Sequence, residues 1–263
     1  MNRTAFAIVS AFALAAPLSA QAADMPLKAP PPPAPVYSWT GCSVGAGAGY
    51  GLWTQQHTTS TTFGGVPGTT INQTDGGNGW LGRVGVGCDY QVAPRWVIGA
   101  FGQYDWMGLN GTNSPLEVTG GAPFAPLSAT EKEQNAWYVG ARLGYLLTPS
   151  VLTYADAGFT GTRFGAQGLT TNLGAPIGFG YAAQKYTGWF LGGGTETALA
   201  DWLPGLPNGL FLRTEYRLSE YSRKTITEIA LATGAPDGNT ESTRPYVQTV
   251  TTELVWRFNW MGH

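Results

Sequence analysis

The sequence predicts an all-β chain, a closed antiparallel eight-stranded transmembrane β-barrel with short periplasmic turns and long extracellular loops. Three observations lead there. Only 11% of the 263 residues are charged, against about 25% in an ordinary soluble domain, although 43% are hydrophobic. Eight stretches alternate with a period of two residues, each long enough for a tilted membrane strand of about 9–11 residues. One face of every stretch carries no charge, and no apolar run reaches the ~18–20 residues of a membrane-crossing helix.

In chain order, residues 1–22 come first: a short basic start, an apolar stretch from Ala5 to Ala16, and small residues at Ala20 and Ala22. This is the pattern of a cleaved secretory signal peptide. Removing Arg3 with it leaves 13 basic and 16 acidic residues, a net charge of about −3 that gives no reason to expect nucleic acid as a partner. Residues 23–38, ADMPLKAPPPPAPVYS, read as a proline-rich periplasmic linker, because consecutive prolines favour an extended, solvated backbone and cannot join a central strand.

The barrel is expected over 39–260, with strands near 39–53, 79–91, 95–107, 135–147, 151–163, 186–199, 209–221 and 245–258. Their connections are alternately short and long, the pattern of periplasmic turns opposite external loops. One face holds residues such as Val44, Ala46 and Ala48, Val84 and Val86, Ile98, Val139, Leu143, Leu191, Val250 and Leu254. The other holds Arg83, Asp89, Asp105, Arg142, Asp156, Glu196, Arg213, Glu215, Arg217, Glu253 and Arg257, interleaved with glycine. A lipid-facing Lys or Arg at the bilayer midplane costs about 2–4 kcal/mol, so the charged face points inward. The soluble alternative, a lipocalin-like cup with an apolar lumen, has the opposite orientation.

Eight strands enclose a lumen that side chains fill. The glycines of VGAGAGYG on the first strand, and those of the second, are read as room for long Arg and Glu side chains from the fourth, sixth, seventh and eighth strands. Buried ions need partners, so the eleven charges form a paired network, with Arg142, Glu196, Arg213, Glu215 and Glu253 at its centre. Rearrangement of these pairs to pass small solutes or ions, a narrow pore, is the alternative. Tryptophans at 39, 53, 80, 96, 106, 137, 189, 202, 256 and 260 lie near strand ends and are expected to form two interfacial girdles.

Catalysis is not expected. Hydrolysis within a membrane barrel generally needs a histidine beside a serine or carboxylate, and His57 falls in the first external loop while His263 is the last residue. Neither joins a spaced constellation. No metal-ligand cluster, phosphate loop or cofactor motif is present in the sequence. The loops, roughly 54–78, 108–134, 164–185 and 222–244, are rich in Thr, Gly, Asn and Pro and are candidate sites for an extracellular ligand whose identity their composition does not select.

In their order along the chain, ADMPLKAPPPPAPVYSWTG, VGAGAGYG, RLGY at 142–145, GWFLGGGTE at 188–196, RTEYRL at 213–218 and the closing WRFNW resemble the small eight-stranded outer-membrane proteins of alphaproteobacteria, a porin-like branch of the OmpA-type barrels. The resemblance implies residence in the outer membrane among lipid and lipopolysaccharide, and insertion by the barrel assembly machinery through the C-terminal strand. Two departures are Glu253, where the terminal assembly signal usually has glycine, and the extension Met261 to His263. Another is Cys42 and Cys88, at positions where aromatic residues are expected in relatives. A register pairing 46 with 84 and 44 with 86 opposes them on the lipid face, at a spacing that suits a disulfide in the oxidising periplasm. Two free thiols acting as small hydrophobes are the alternative.

Overall fold

The structure, a computed structural model, describes residues 37–63, 66–115, 118–119, 122–123, 127–171 and 173–258. The signal-peptide reading, most of the linker, Trp260 and Met261 to His263 lie outside them. The strands are β1 (Gly41–Phe63), β2 (Val66–Ala93), β3 (Trp96–Asn113), β4 (Val118–Thr119), β5 (Ala122–Pro123), β6 (Ala129–Thr148), β7 (Val151–Phe164), β8 (Gln167–Thr170), β9 (Pro176–Tyr181), β10 (Gln184–Ala198), β11 (Leu210–Tyr221), β12 (Lys224–Ala230) and β13 (Pro236–Phe258).

Eight of them make an antiparallel ring in the order β1-β2-β3-β6-β7-β10-β11-β13, and β1 pairs with β13 from Cys42↔Phe258 to Ser60↔Thr240. That ladder closes the cylinder, so no strand edge of the ring is left to face hydrocarbon. At one end, two-residue turns at Pro94–Arg95 and Pro149–Ser150 and the connection 199–209, which opens with the 3-10 turn Leu199–Asp201, join neighbouring strands. The alternation sets the two faces: Trp80, Val86, Val139, Phe159, Leu191 and Val250 are exposed on the outside, and the charged set is buried inside.

Val86, 61% exposed in the middle of the outer apolar band, supplies a direct check on this orientation. A Val86→Arg substitution is expected to destabilise the barrel in lipid vesicles by about 2–4 kcal/mol in urea titrations, and unchanged unfolding would contradict a lipid-facing position.

The strands run well past the expected boundaries at the extracellular end. Segments expected as loops continue as β1, β2, β3, β6 and β13 or form β8, β9 and β12. Above the membrane, β13 leaves β11 and pairs with β12, which pairs with β9, which pairs with β8. A bridge between Ser128 and Thr170 joins β8 to the start of β6. The result is a second ring, a crown built from β1, β2, β3, β6, β8, β9, β12 and β13. The sequence hides it because neither face needs to be greasy outside the bilayer, so β-branched runs such as TTSTT show no apolar alternation.

The lumen glycines serve packing more broadly than expected. Gly45 does lie against Glu253, whose Oε2 is 3.0 Å from the site of a Cβ, but Gly51 faces Leu109 and Gly85 faces Gln103. Gly140 and Gly158, paired across β6 and β7, seat the ring of Phe190, which approaches within 2.7 and 2.9 Å of where their side chains would begin.

Candidate functional site

The eleven charges expected inside are all inside, with relative exposures of 7% or less. They form two linked clusters. Towards the periplasm, Asp89 accepts from Arg142 Nε at 2.6 Å and from Arg257 Nη1 at 2.8 Å, with a second bond from Arg142 Nη2. Glu196 accepts from Arg257 Nε at 2.6 Å and from Arg213 Nη2 and Nε at 2.8 and 3.0 Å. In mid-barrel, Arg83 grips Asp105 with a two-bond fork of 2.7 and 2.8 Å and donates from Nη1 to Glu215 at 2.8 Å and Thr251 at 3.0 Å. Arg217 lies 2.5 Å from Glu215 and 3.4 Å from Asp156, and Arg213 lies 3.7 Å from Glu253, which joins the clusters. Arg83, Asp105 and Arg217 are therefore as central as the five residues expected at the centre.

Arg217 Nε and Nη1 make no hydrogen bond. Its guanidinium instead lies 4.4 Å from the Tyr138 ring centroid and 4.5 Å from that of Phe190, so ring quadrupoles take part of the role of acceptors.

Along most strands the inward residues follow the same order; on β3, Phe101 comes between the foot and Asp105. At the foot are Val97, Leu146, Leu152, Phe211 and Val255, with Trp39 wedged among them. Next come the ion clusters, and then an aromatic and aliphatic layer of Trp53, Leu81, Phe101, Met107, Leu109, Tyr138, Phe164, Phe190 and Tyr221. Two of the tryptophans therefore depart from the girdle expectation. Trp39 is fully buried, donates from Nε1 to Pro149 O at 3.0 Å and stacks 4.7 Å from Arg257, while Trp53 is 1% exposed in the lumen. Trp80, Trp96, Trp106, Trp137, Trp189, Trp202 and Trp256 are exposed.

Above the aromatic layer lies a group that the sequence reading missed. His57 is not in an exposed loop: it is buried on β1, its Nδ1 in contact with Glu241 of β13 and its Nε2 3.8 Å from Asp75 of β2. Glu131 and Glu133 of β6, Asn113 of β3 and Gln167 of β8 are buried in the same layer, and Asn113 Nδ2 donates to Gln167 at 3.2 Å. Over it sits an apolar lid of Leu127, Ala129, Leu169, Tyr181 and Ile226. Among the described residues no three His, Cys, Asp or Glu side chains form a metal-ligand set.

On the outer surface, Cys42 pairs with Cys88 in the register expected, Ala46↔Val84 and Val44↔Val86, and the two are joined by a disulfide with Cα atoms 3.9 Å apart.

The chain is similar to known outer-membrane proteins. Residues 8–258 match the profile of a family described as outer membrane protein beta-barrel domain. The 31 kDa outer-membrane immunogenic protein of Brucella melitensis is 28% identical over 222 residues, covering 80% of this chain and 85% of the relative, and the Brucella suis protein of the same description matches with the same figures. The crystal structure of the outer membrane protein OprG from Pseudomonas aeruginosa overlays 83% of this chain and 98% of its own, with a TM-score of 0.49 and 13% identity. With the profile spanning the ring from its first strand to its last, the chain belongs to the outer membrane protein beta-barrel domain family and is an outer-membrane protein.

Proposed function

We propose that this protein is a structural and surface-display element of the outer membrane, with a sealed lumen and no catalytic activity. The observation that carries the reading is the stacking of paired ions between two apolar layers, the Trp39 layer at the foot and the Trp53 layer above. Eight strands leave space that side chains fill, and water-filled channels belong to barrels of about 16–18 strands. His57 is 1% exposed beneath a lid, so no substrate in solution reaches it. The crown stands outside the membrane, and the name of the Brucella relatives, immunogenic proteins of the outer membrane, accords with surface display. Lipid and lipopolysaccharide surround the apolar band. The barrel assembly machinery is the partner suggested for β13, which ends on Trp256, Arg257 and Phe258.

Planar-bilayer recording tests the proposal. Purified protein is expected to give no discrete conductance steps. Single-channel steps that change in Glu196→Ala or Arg213→Ala variants would establish a narrow pore instead.

A further inference from the structure

Above the aromatic layer the inner wall turns acidic without the arginines that neutralise the lumen below. Glu131 and Glu133 of β6, Asp75 of β2 and Glu241 of β13 share this layer, and the only basic side chain paired with any of them is His57, among the described residues. Lys132, between the two glutamates, points outward, and Arg244 is engaged with Glu220. The remaining titratable or charged groups facing the layer are Asp105 of β3, held by Arg83, Tyr181 of β9, Tyr186 of β10, Tyr221 of β11 and Glu228 of β12, which accepts from Asn239 at 3.1 Å. Oε2 of Glu131, Oε2 of Glu133, Oε1 of Gln55 and Oδ1 of Asn113 are buried with no hydrogen-bond partner.

A carboxylate buried without a cation costs so much that the group holds its proton instead. Burial above all, with the charges of Glu241, Asp75 and Glu133 adding to it, pushes Glu131 up to about 8, against a hydrogen bond from Gln167 of β8. Burial, with Asp105 adding to it, does the same for Glu133, against a hydrogen bond from Thr162.

These glutamates stand beside the weakest joint of the crown. β6 and β13 are held by long ladders to β3 and β1, whereas among the described residues the only backbone pairing between β6 and β8 is the Ser128–Thr170 bridge, joined by side-chain hydrogen bonds from Thr170 to Ser128 O and between Gln167 and Glu131. Directly over that joint lies the lid of Leu127, Ala129, Leu169, Tyr181 and Ile226.

We propose that Glu131 and Glu133 form a proton-operated latch on the crown: protonated, they let it close, and ionised, Glu131 repels Glu241 and Asp75, Glu133 repels Asp105, and β6 parts from β8 while the membrane-spanning ring stays shut. The direction follows from linkage. Both carboxyls hold their protons more tightly in the closed crown than at the ordinary value of 4.5, so closure is favoured in acid. That advantage is complete below about pH 4.5 and is lost as the pH rises through about 8.

Deuterium exchange on the refolded protein in detergent, at pH 6 and pH 9 with rates normalised to the unfolded chain at each pH, tests the latch. Crown peptides spanning 129–135 and 239–245 are expected to lose protection by about tenfold at pH 9, while 250–257, in the membrane ring, does not change. In Glu131→Gln/Glu133→Gln, neutral at every pH, crown protection at pH 9 should match that at pH 6. Equal protection of the wild-type crown at both pH values overturns the proposal, and so does an undiminished loss in the double variant. A heat-shifted gel band reports whether that variant is folded. If it is not, the single variants decide: at least one must retain more protection at pH 9 than wild type, and failure of both also overturns the latch.

Discussion

Replacing Arg83 by methionine is expected to lower the stability of the refolded barrel by about 3–5 kcal/mol, the cost of breaking a buried ion pair from one side. Among the described residues Arg83 is the only cation bonded to Asp105, through two hydrogen bonds of 2.7 and 2.8 Å, and neither residue is exposed. Methionine replaces much of the aliphatic stem, so little of the loss is cavity and most is the stranded carboxylate. Glu215 suffers less, because it keeps Arg217 at 2.5 Å and the Tyr154 hydroxyl at 2.9 Å. Two controls separate this account from a general sensitivity to mutation. Removing both ends, in Arg83→Met/Asp105→Leu, should cost clearly less than the sum of the single changes, because no charge is left unpaired. Arg244→Met, which breaks the partly exposed pair with Glu220 in the crown, should cost no more than about 1 kcal/mol. Urea titrations followed by tryptophan fluorescence measure these three variants, Asp105→Leu alone and the wild type. If Arg83→Met proves as mild as Arg244→Met, the ion network is not what holds the lumen together.

The network was legible in the sequence because the bilayer enforces a one-sided rule: each charge inside a membrane strand has only the lumen to point to. Arg83, Arg142 and Glu253 could therefore be assigned from parity alone, and the same parity opposes Cys42 to Cys88. Parity also carried a signal for the two misplaced tryptophans. Trp53 shares the odd, inward positions of β1 with Gly47 and Gly49, and proximity to a strand end was the weaker guide. The acidic layer had no such signal. On β6 the inward positions are even at Ala136, Tyr138 and Arg142, but a register shift between Glu133 and Asn135 turns them odd, bringing Glu131 and Glu133 inside and leaving Lys132 outside. A bulge of this kind reverses every side chain beyond it. His57 was lost for a related reason: its neighbours Gln56 and Thr58 are as polar on the outer face as it is on the inner, so nothing marks the strand.

Cys42→Ala/Cys88→Ala is expected to lose about 2–4 kcal/mol, and the loss should reside in the covalent bond, not in the packing of the sulfurs. Both side chains are on the outer face, away from the ion clusters, so alanine leaves the lumen as it is. The bond closes a loop with a sequence separation of 46, and the loop-entropy relation places such a loop between about 3 kcal/mol for 15 residues and about 4.7 for 100. Its position adds to its value for the assembled ring. β1 pairs with β2 on one edge and with β13 on the other, so a tie between β1 and β2 pins the strand that completes the cylinder. Reductant separates the covalent contribution from the rest. Wild-type protein unfolded and refolded in reductant should fall to the midpoint of the double variant, which should itself be indifferent to reductant. Free thiols would give the opposite result, a wild type that ignores reductant and unfolds with the variant, and alkylation without reduction would then label both cysteines.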